Sequence, residues 1–424
     1  MKLLPFVPLI AASSSADVYD SKTLLSITSD DAFVDVVDIP QRLEDGKFAS
    51  NPEVAAFLKT VTIKTLKSSG LQVVFTSDDT VSSTDLCAYL KNAASKLPGL
   101  ECECSPNFAT KEETADDDLG VNDPRASWQR AFKRMNMKEV WRLSRPYARQ
   151  TVKVAVMDSG LNFSDPEISP YRGIFRKRSG GIVSGGWNFV DDSSNFTSVN
   201  QHGQRCARLI AARRNNNLDM AGMSSNVRLV SLRTQREDGQ GSWWHMAEAM
   251  DMAVDIGVDI VSISLGEFIS KSYADRVLSK AFKAATDQGI TVVASAGNDN
   301  KAAVHYYPCA LPGVTCVASI NIQDTLQVSG FSNYGNDVDI AAYGSGVYTG
   351  YNGLSSGTSF SCPIVSGAVA ILLSMGVKPK YVAGILTYNV DRFSSPLKPL
   401  KRNAGALNPL KAVQMAIDYP ALRR

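Results

Sequence analysis

The sequence predicts an α/β protein, a doubly wound parallel sheet with helices on both faces, preceded by a small α+β module. Five short apolar runs rich in β-branched residues, at 152–157, 227–232, 260–264, 290–295 and 316–320, read as strands buried on both faces. Helical patterns such as 242–256 and 273–288 separate them, an alternation that right-handed crossovers wind into one sheet. Charge divides the chain as well. Between 17 and 120, 19 Asp and Glu face 9 Lys and Arg, whereas from 121 onward 34 Lys and Arg face 23 Asp and Glu, so an acidic module precedes a basic one.

Taken in order, Met1-Lys2, the apolar residues 3–10 and the small residues 11–16 read as a signal peptide spanning 1–16, with cleavage expected after Ala16. Its apolar run is too short to span a bilayer, and no later run approaches the ~20 residues that spanning needs. Within 17–110 the patterns predict a helix near 52–66, a strand at 71–75, a helix at 84–96 capped by Thr84 or Asp85, and an alternating strand at 100–104. The stretch 111–120, with Glu112, Glu113, Asp116, Asp117 and Asp118, has few apolar residues and reads as a linker. The α/β domain occupies 121–424. A chain of 424 residues, 44% hydrophobic, can bury a large core, and a net charge of +2 points to neither nucleic acid nor a membrane surface as partner.

The first domain strand runs into Asp158-Ser159-Gly160, at the carboxyl end of a strand, where functional groups collect in open α/β sheets. The chain has three histidines. His245 and His305 sit in ordinary amphipathic and aromatic surroundings, whereas His202 starts an apolar helical run after Asn200-Gln201. Near the other end, Gly357-Thr358-Ser359-Phe360-Ser361-Cys362-Pro363 sets a serine at the start of a buried helix, close to free backbone N–H groups. In isolation Asp158 reads as a loop cap and Thr358-Ser359 as a helix cap. Together they supply what a serine nucleophile requires: a base, and a group to orient that base.

These segments resemble the subtilisin-like family of serine peptidases, whose signatures run in the order Asp, His, Ser. They stand here as Val154-Ala155-Val156-Met157-Asp158-Ser159-Gly160, His202-Gly203 with Cys206-Ala207, and Gly357-Thr358-Ser359 through Pro363. Ala294-Ser295-Ala296-Gly297-Asn298 resembles the segment whose asparagine completes the oxyanion hole, and Val261 through Gly266 resembles the strand that pairs with substrate. The resemblance implies a serine endopeptidase acting through an acyl-enzyme, with Ser359 as nucleophile, His202 as base, Asp158 as orienting carboxylate and Asn298 as oxyanion donor. Ser264, Leu265 and Gly266 would bind protein or peptide substrates, and catalysis would need no cofactor. It implies further that 17–110 is a propeptide acting as folding aid and inhibitor, processed between about Ser105 and Val121, and that the enzyme is a secreted monomer.

The chain departs from the family pattern at Gln201 and Gln204, where glycine and threonine are usual, and at Ser224-Ser225-Asn226, beyond Gly222-Met223. The alternative reading is therefore a catalytically degenerate relative that binds peptides without cutting them. Structural calcium is common in the family, and Asp191 and Asp192 are either ligands of a loop site or a solvated pair. Of seven cysteines, Cys309 and Cys316 flank Pro312-Gly313 and form the best candidate disulfide, while Cys206 and Cys362 read as free buried thiols. Asn162 and Asn195 begin N-glycosylation sequons, relevant if the chain passes through a eukaryotic secretory route.

Overall fold

The structure, a computed structural model, describes residues 119–198, 200–322, 326–393 and 398–423, together with the backbone of four upstream strands. The expected signal peptide at 1–16, the helix at 84–96 and the charged part of the linker at 111–118 lie outside the described residues. The chain divides into two compact units, Met1–Thr114 and Ala115–Arg424.

The first unit contains β1 (Val18–Ser29), β2 (Val61–Thr65), β3 (Gln72–Thr76) and β4 (Leu100–Phe108), an antiparallel sheet in the order β2-β3-β1-β4. The last part of the helix expected near 52–66 is corrected by β2, while 52–60 lies outside the described residues. Val61, Thr62, Ile63 and Thr65 are all β-branched, and such side chains lose rotamer freedom in a helix but fit a pleated surface.

The second unit is built on nine strands: β5 (Val152–Asp158), β6 (Gly186–Asn188), β7 (Val227–Arg233), β8 (Ile260–Ile263), β9 (Thr291–Ser295), β10 (Val314–Ile320), β11 (Ile340–Tyr343), β12 (Val390–Asp391) and β13 (Ala406–Leu407). Their order is β12-β13-β11-β10-β9-β8-β5-β7-β6, and every pairing is parallel except that of β12 with β13. Val154, Ala155, Val156 and Met157 of β5 are buried, as is all of β10, which is what strands covered on both faces require.

Helices α1 (Arg130–Arg134) and α2 (Met137–Ser144) lead into β5. Then come α3 (His202–Ala211), α4 (Trp243–Asp255), α5 (Lys271–Val277), α6 (Ser279–Asp287), α7 (Thr358–Ser374), α8 (Pro379–Tyr388) and α9 (Pro409–Asp418). Ser242 caps α4, its hydroxyl accepting from Trp244 N–H at 3.2 Å. The single helix expected over 273–288 is two, broken at the buried Leu278. There Leu278 N–H still reaches Ala274 O at 2.9 Å, but the Leu278 φ opens to −106°, and the Ser279 hydroxyl turns back to the same carbonyl at 3.5 Å. Helix α7 is apolar on all sides and packs against β8, β9 and β10, so its N-terminus is fixed at the carboxyl edge of the sheet.

Candidate active site

Four elements deliver polar side chains to that carboxyl edge. Asp158 is the last residue of β5, His202 the first of α3, Asn298 follows β9 and Ser359 is the second residue of α7. Asp158 is buried, and its Oδ1 lies 2.8 Å from His202 Nδ1 while also accepting from Ser159 N–H at 2.7 Å. Its Oδ2 is buried without a hydrogen-bond partner among the described residues. The carboxylate is thus committed to orienting the ring and the turn beneath it. Gly203 makes the approach sterically feasible: a Cβ there would lie 2.7 Å from Gly160 O and 3.1 Å from the Asp158 side chain. The charge of Asp158 holds the His202 imidazole above its usual 6.5, against the opposing effect of burial.

His202, Asn298, Ser359 and the segment Ser264-Leu265-Gly266 line one cleft of about 380 Å³, which Tyr306 also borders. Ser359 Oγ donates to Ser264 O at 3.1 Å, and Ser264 Oγ donates back to Ser359 O at 2.9 Å. The hydroxyl therefore faces Ser264 and makes no bond to His202. Asn298 is held by its oxygen, since Oδ1 accepts from Thr358 N–H at 2.8 Å and from Thr358 Oγ1 at 3.1 Å. That leaves the Nδ2 donor of Asn298 for the cleft. Gly357, at φ 152°, has the wide positive angle that favours glycine, and a Cβ there would sit 3.6 Å from Asn298 Nδ2.

The unusual glutamines are structurally occupied. Gln204 is buried and ties α3 to the loop after β5, its Oε1 accepting from Asn162 N–H at 2.8 Å and its Nε2 donating to Asp165 Oδ2 at 2.7 Å. Arg208, one turn further along α3, donates to the same carboxylate from Nε at 2.7 Å and from Nη2 at 3.0 Å, and to Asp219 from Nη1 at 2.6 Å. Burial raises the Asp165 pKa, but Arg208 and then Gln204 outweigh it and hold the carboxyl below its usual range. Gln201 accepts from Arg205 Nη2 at 2.9 Å. Ser225 accepts from Arg214 Nη2 at 2.7 Å, and Asn226 donates to Ala148 O at 2.9 Å. None of these groups stands between His202 and Ser359. The network was not legible in the sequence, because Asp165, Arg208 and Asp219 carry no motif.

The remaining sequence candidates fall outside the cleft or lie buried behind it. Asp191 Oδ2 accepts from Asn188 Nδ2 at 2.7 Å and Asp192 Oδ1 from Trp187 Nε1 at 3.3 Å. Among the described residues no third His, Cys, Asp or Glu side chain clusters with them. Among the described residues one His/Cys/Asp/Glu cluster of metal-binding size does occur, Asp158, His202 and Cys206, whose ligand atoms lie within 4.8 Å of one another. Burial pushes the Cys206 thiol well up, so it stays protonated, and its Sγ donates to Ser359 O at 3.4 Å. Cys362 is also buried, its thiol pushed up to about 11 by burial. Cys309 and Cys316 are joined as a disulfide. Asn162 and Asn195 are exposed, and no described helix is long and apolar enough to cross a membrane.

A family model described as the subtilase family matches residues 149–387. Thermitase of Thermoactinomyces vulgaris is 32% identical over 266 residues, covering 62% of this chain and 88% of thermitase. The halolysin-like extracellular serine protease Nep of Natrialba magadii is 31% identical over 260 residues, 60% of this chain, and this chain spans 45% of that relative's length. Among solved structures, a protease from Pseudoalteromonas arctica superposes with a TM-score of 0.59 at 24% identity, covering 70% of this chain and 99% of that one, a likeness of fold.

Proposed function

The chain belongs to the subtilase family as a subtilisin-like serine endopeptidase, and on that premise we propose that it cleaves peptide bonds through an acyl-enzyme formed on Ser359. Ser359 Oγ attacks the scissile carbonyl carbon while His202 Nε2 takes its proton, and the carbonyl electron pair moves onto oxygen. Asn298 Nδ2 and the Ser359 N–H receive that oxyanion. Collapse expels the amine, which leaves with the proton from His202. Water then attacks the acyl carbon as His202 takes a proton again, releasing the acid and restoring the serine. These protein groups and water suffice, and no catalytic cofactor is needed.

The observation that carries this reading is the 2.8 Å contact from Asp158 Oδ1 to His202 Nδ1. A carboxylate there keeps the proton on Nδ1 and leaves Nε2 as the base. The Ser359 hydroxyl must exchange its bond to Ser264 O for one to His202, a swap between two neutral hydrogen bonds of similar strength, each worth about 1 kcal/mol. Catalytic hydrogen bonds commonly tighten only when substrate binds.

In the same reading 121–424 is the enzyme and 17–110 a propeptide that aids folding and inhibits until it is removed between about Ser105 and Val121. The leader-like 1–16 and the extracellular description of one relative support secretion. Asn162 and Asn195, both exposed, would carry glycans in a eukaryotic secretory route.

The test is to express the whole chain and its Ser359→Ala variant, treat both with a fluorophosphonate, and sequence the mature N-termini. The expected result is labelling of Ser359 alone, with precursor persisting only in the variant. An unlabelled wild type that cleaves no peptide, and that matures no differently from the variant, would overturn the reading.

A further inference from the structure

Tyr306 borders the reactive cleft without any part in the proton transfers. It lies on a short ribbon, Tyr306–Tyr307, paired antiparallel with Glu267–Phe268, which directly follows the substrate-binding segment Ser264-Leu265-Gly266. Its ring is wedged between two glycines. A Cβ on Gly266 would lie 2.7 Å from Tyr306 Cε1, and one on Gly297 would lie 2.6 Å from Tyr306 Cε2. The ring is also anchored at both ends, because its hydroxyl donates to Gly266 O at 2.9 Å and Phe268 packs edge-on at 5.1 Å between centroids. The side chain is buried and burial pushes its phenol pKa up, so the hydroxyl remains a donor throughout the working range.

Gly266 lines the cleft and Gly297 lies buried just before the lining residue Asn298, so the two glycines stand as walls at opposite edges of the Tyr306 ring. One belongs to the edge that pairs with a peptide backbone, and the other immediately precedes the oxyanion donor Asn298. A peptide whose scissile carbonyl sits between Ser359 and Asn298 has its next atom, the Cα on the acyl side, beside Gly266. Side chains alternate across an extended peptide, and the one on that Cα points between the two walls. The Tyr306 ring already fills that space.

We propose that Tyr306 is a specificity-determining residue that closes the side-chain pocket next to Ser359, restricting the residue on the acyl side of the scissile bond to glycine, alanine or serine. The proposal rests on the hydrolytic reading above and extends it to substrate class. The obstruction cannot easily swing aside. Moving the ring breaks the bond to Gly266 O and the edge-on packing with Phe268. A larger acyl-side residue must therefore displace packed structure, whereas a methyl or hydroxymethyl group needs none of that volume.

The test measures kcat/KM of the mature enzyme on acyl-tetrapeptide p-nitroanilides ending in Ala, Leu or Phe, and identifies the product ends from a denatured protein digest. Wild type is expected to favour Ala over Phe by on the order of 10²-fold, the size of discrimination that a pocket misfit of a few methylenes gives. Tyr306→Gly is expected to invert that order, and Tyr306→Phe, which keeps the ring but loses the hydroxyl, to retain it. Should Tyr306→Gly fail to fold, the wild-type product ends and Tyr306→Phe still decide the matter. A wild type that prefers Leu or Phe overturns the proposal, as does a Tyr306→Gly enzyme with the wild-type ratio. Fluorophosphonate labelling of Ser359 separates the causes. Labelled enzyme with the wrong preference refutes the pocket alone, while unlabelled enzyme refutes the hydrolytic reading and the pocket with it.

Discussion

Gln204 Nε2 donates to Asp165 Oδ2 at 2.7 Å, fastening the histidine-bearing helix α3 to the loop that leaves the strand bearing Asp158. The same amide accepts from Asn162 N–H at 2.8 Å, so this buried side chain joins Arg208 in tying together the two segments that hold Asp158 against His202. Gln204→Ala should leave the Asn162 N–H unpaired and take one of two strong donors from Asp165 Oδ2, which keeps Arg208 Nε, costing about 1–3 kcal/mol of stability. Loosening the Asp158–His202 geometry should lower kcat/KM by up to roughly 10²-fold. Denaturant midpoints and steady-state rates on the variant check both, and wild-type values for each would refute the fastening role.

How much of this could be read in advance depends on what each residue needs. Strands β5 and β7 to β10 are buried on both faces, so their apolar runs were visible and their ends were expected within two residues. Strand β1 mixes polar and apolar residues without clean alternation and gave no such signal. The break at Leu278 is a local opening of φ to −106°, which periodicity does not register. In the cleft, Asp158, His202, Asn298 and Ser359 each stood in a recognisable segment. Asp165, Arg208 and Tyr306 matter only through partners distant in sequence: Tyr306 meets Gly266 across 40 positions, and Asp165 meets Arg208 across 43.

The charge of Asp158 raises the His202 pKa above 6.5, and catalysis needs the neutral ring. The kcat/KM of wild type should therefore fall with decreasing pH through a midpoint above 6.5. Asp158→Asn should move that midpoint down and reduce kcat by on the order of 10⁴-fold, because the ring loses its tautomer control. The stability linked to this pair runs the opposite way. It is fully present below the unfolded histidine pKa and is lost as pH rises through the folded one. A midpoint that Asp158→Asn leaves unmoved would show that this pair does not control the titration.

Asn298 offers its Nδ2 to the cleft because Thr358 holds its oxygen. Removing that donor with Asn298→Ala should cost about 10²- to 10³-fold in kcat and leave KM nearly unchanged, since the oxyanion exists only along the reaction path. Thr358→Val removes the hydroxyl anchor but leaves the backbone one, so a much smaller loss is expected. Steady-state kinetics on both variants check the ordering, and an equal loss in the two would contradict it.

Glu167 is buried behind α3, where it accepts from Met220 N–H and from Asn216 Nδ2, each at 3.2 Å. Burial nevertheless pushes its carboxyl from 4.5 to about 7, with Asp165 adding to the rise and Arg208 opposing it. The unfolded chain releases this proton near 4.5 and the folded chain retains it until about 7. Its contribution to stability is therefore fully present below 4.5 and is lost as pH rises through about 7, a loss of at most roughly 3 kcal/mol. Glu167→Gln has no proton to lose, so its stability should decline less between pH 5 and pH 8 than that of wild type. Asp123, also raised by burial, keeps its own share of the decline in both proteins. Thermal or urea midpoints taken in a Ser359→Ala background, where self-digestion is absent, compare the two directly. Parallel pH profiles would show that Glu167 is already ionised in the folded protein.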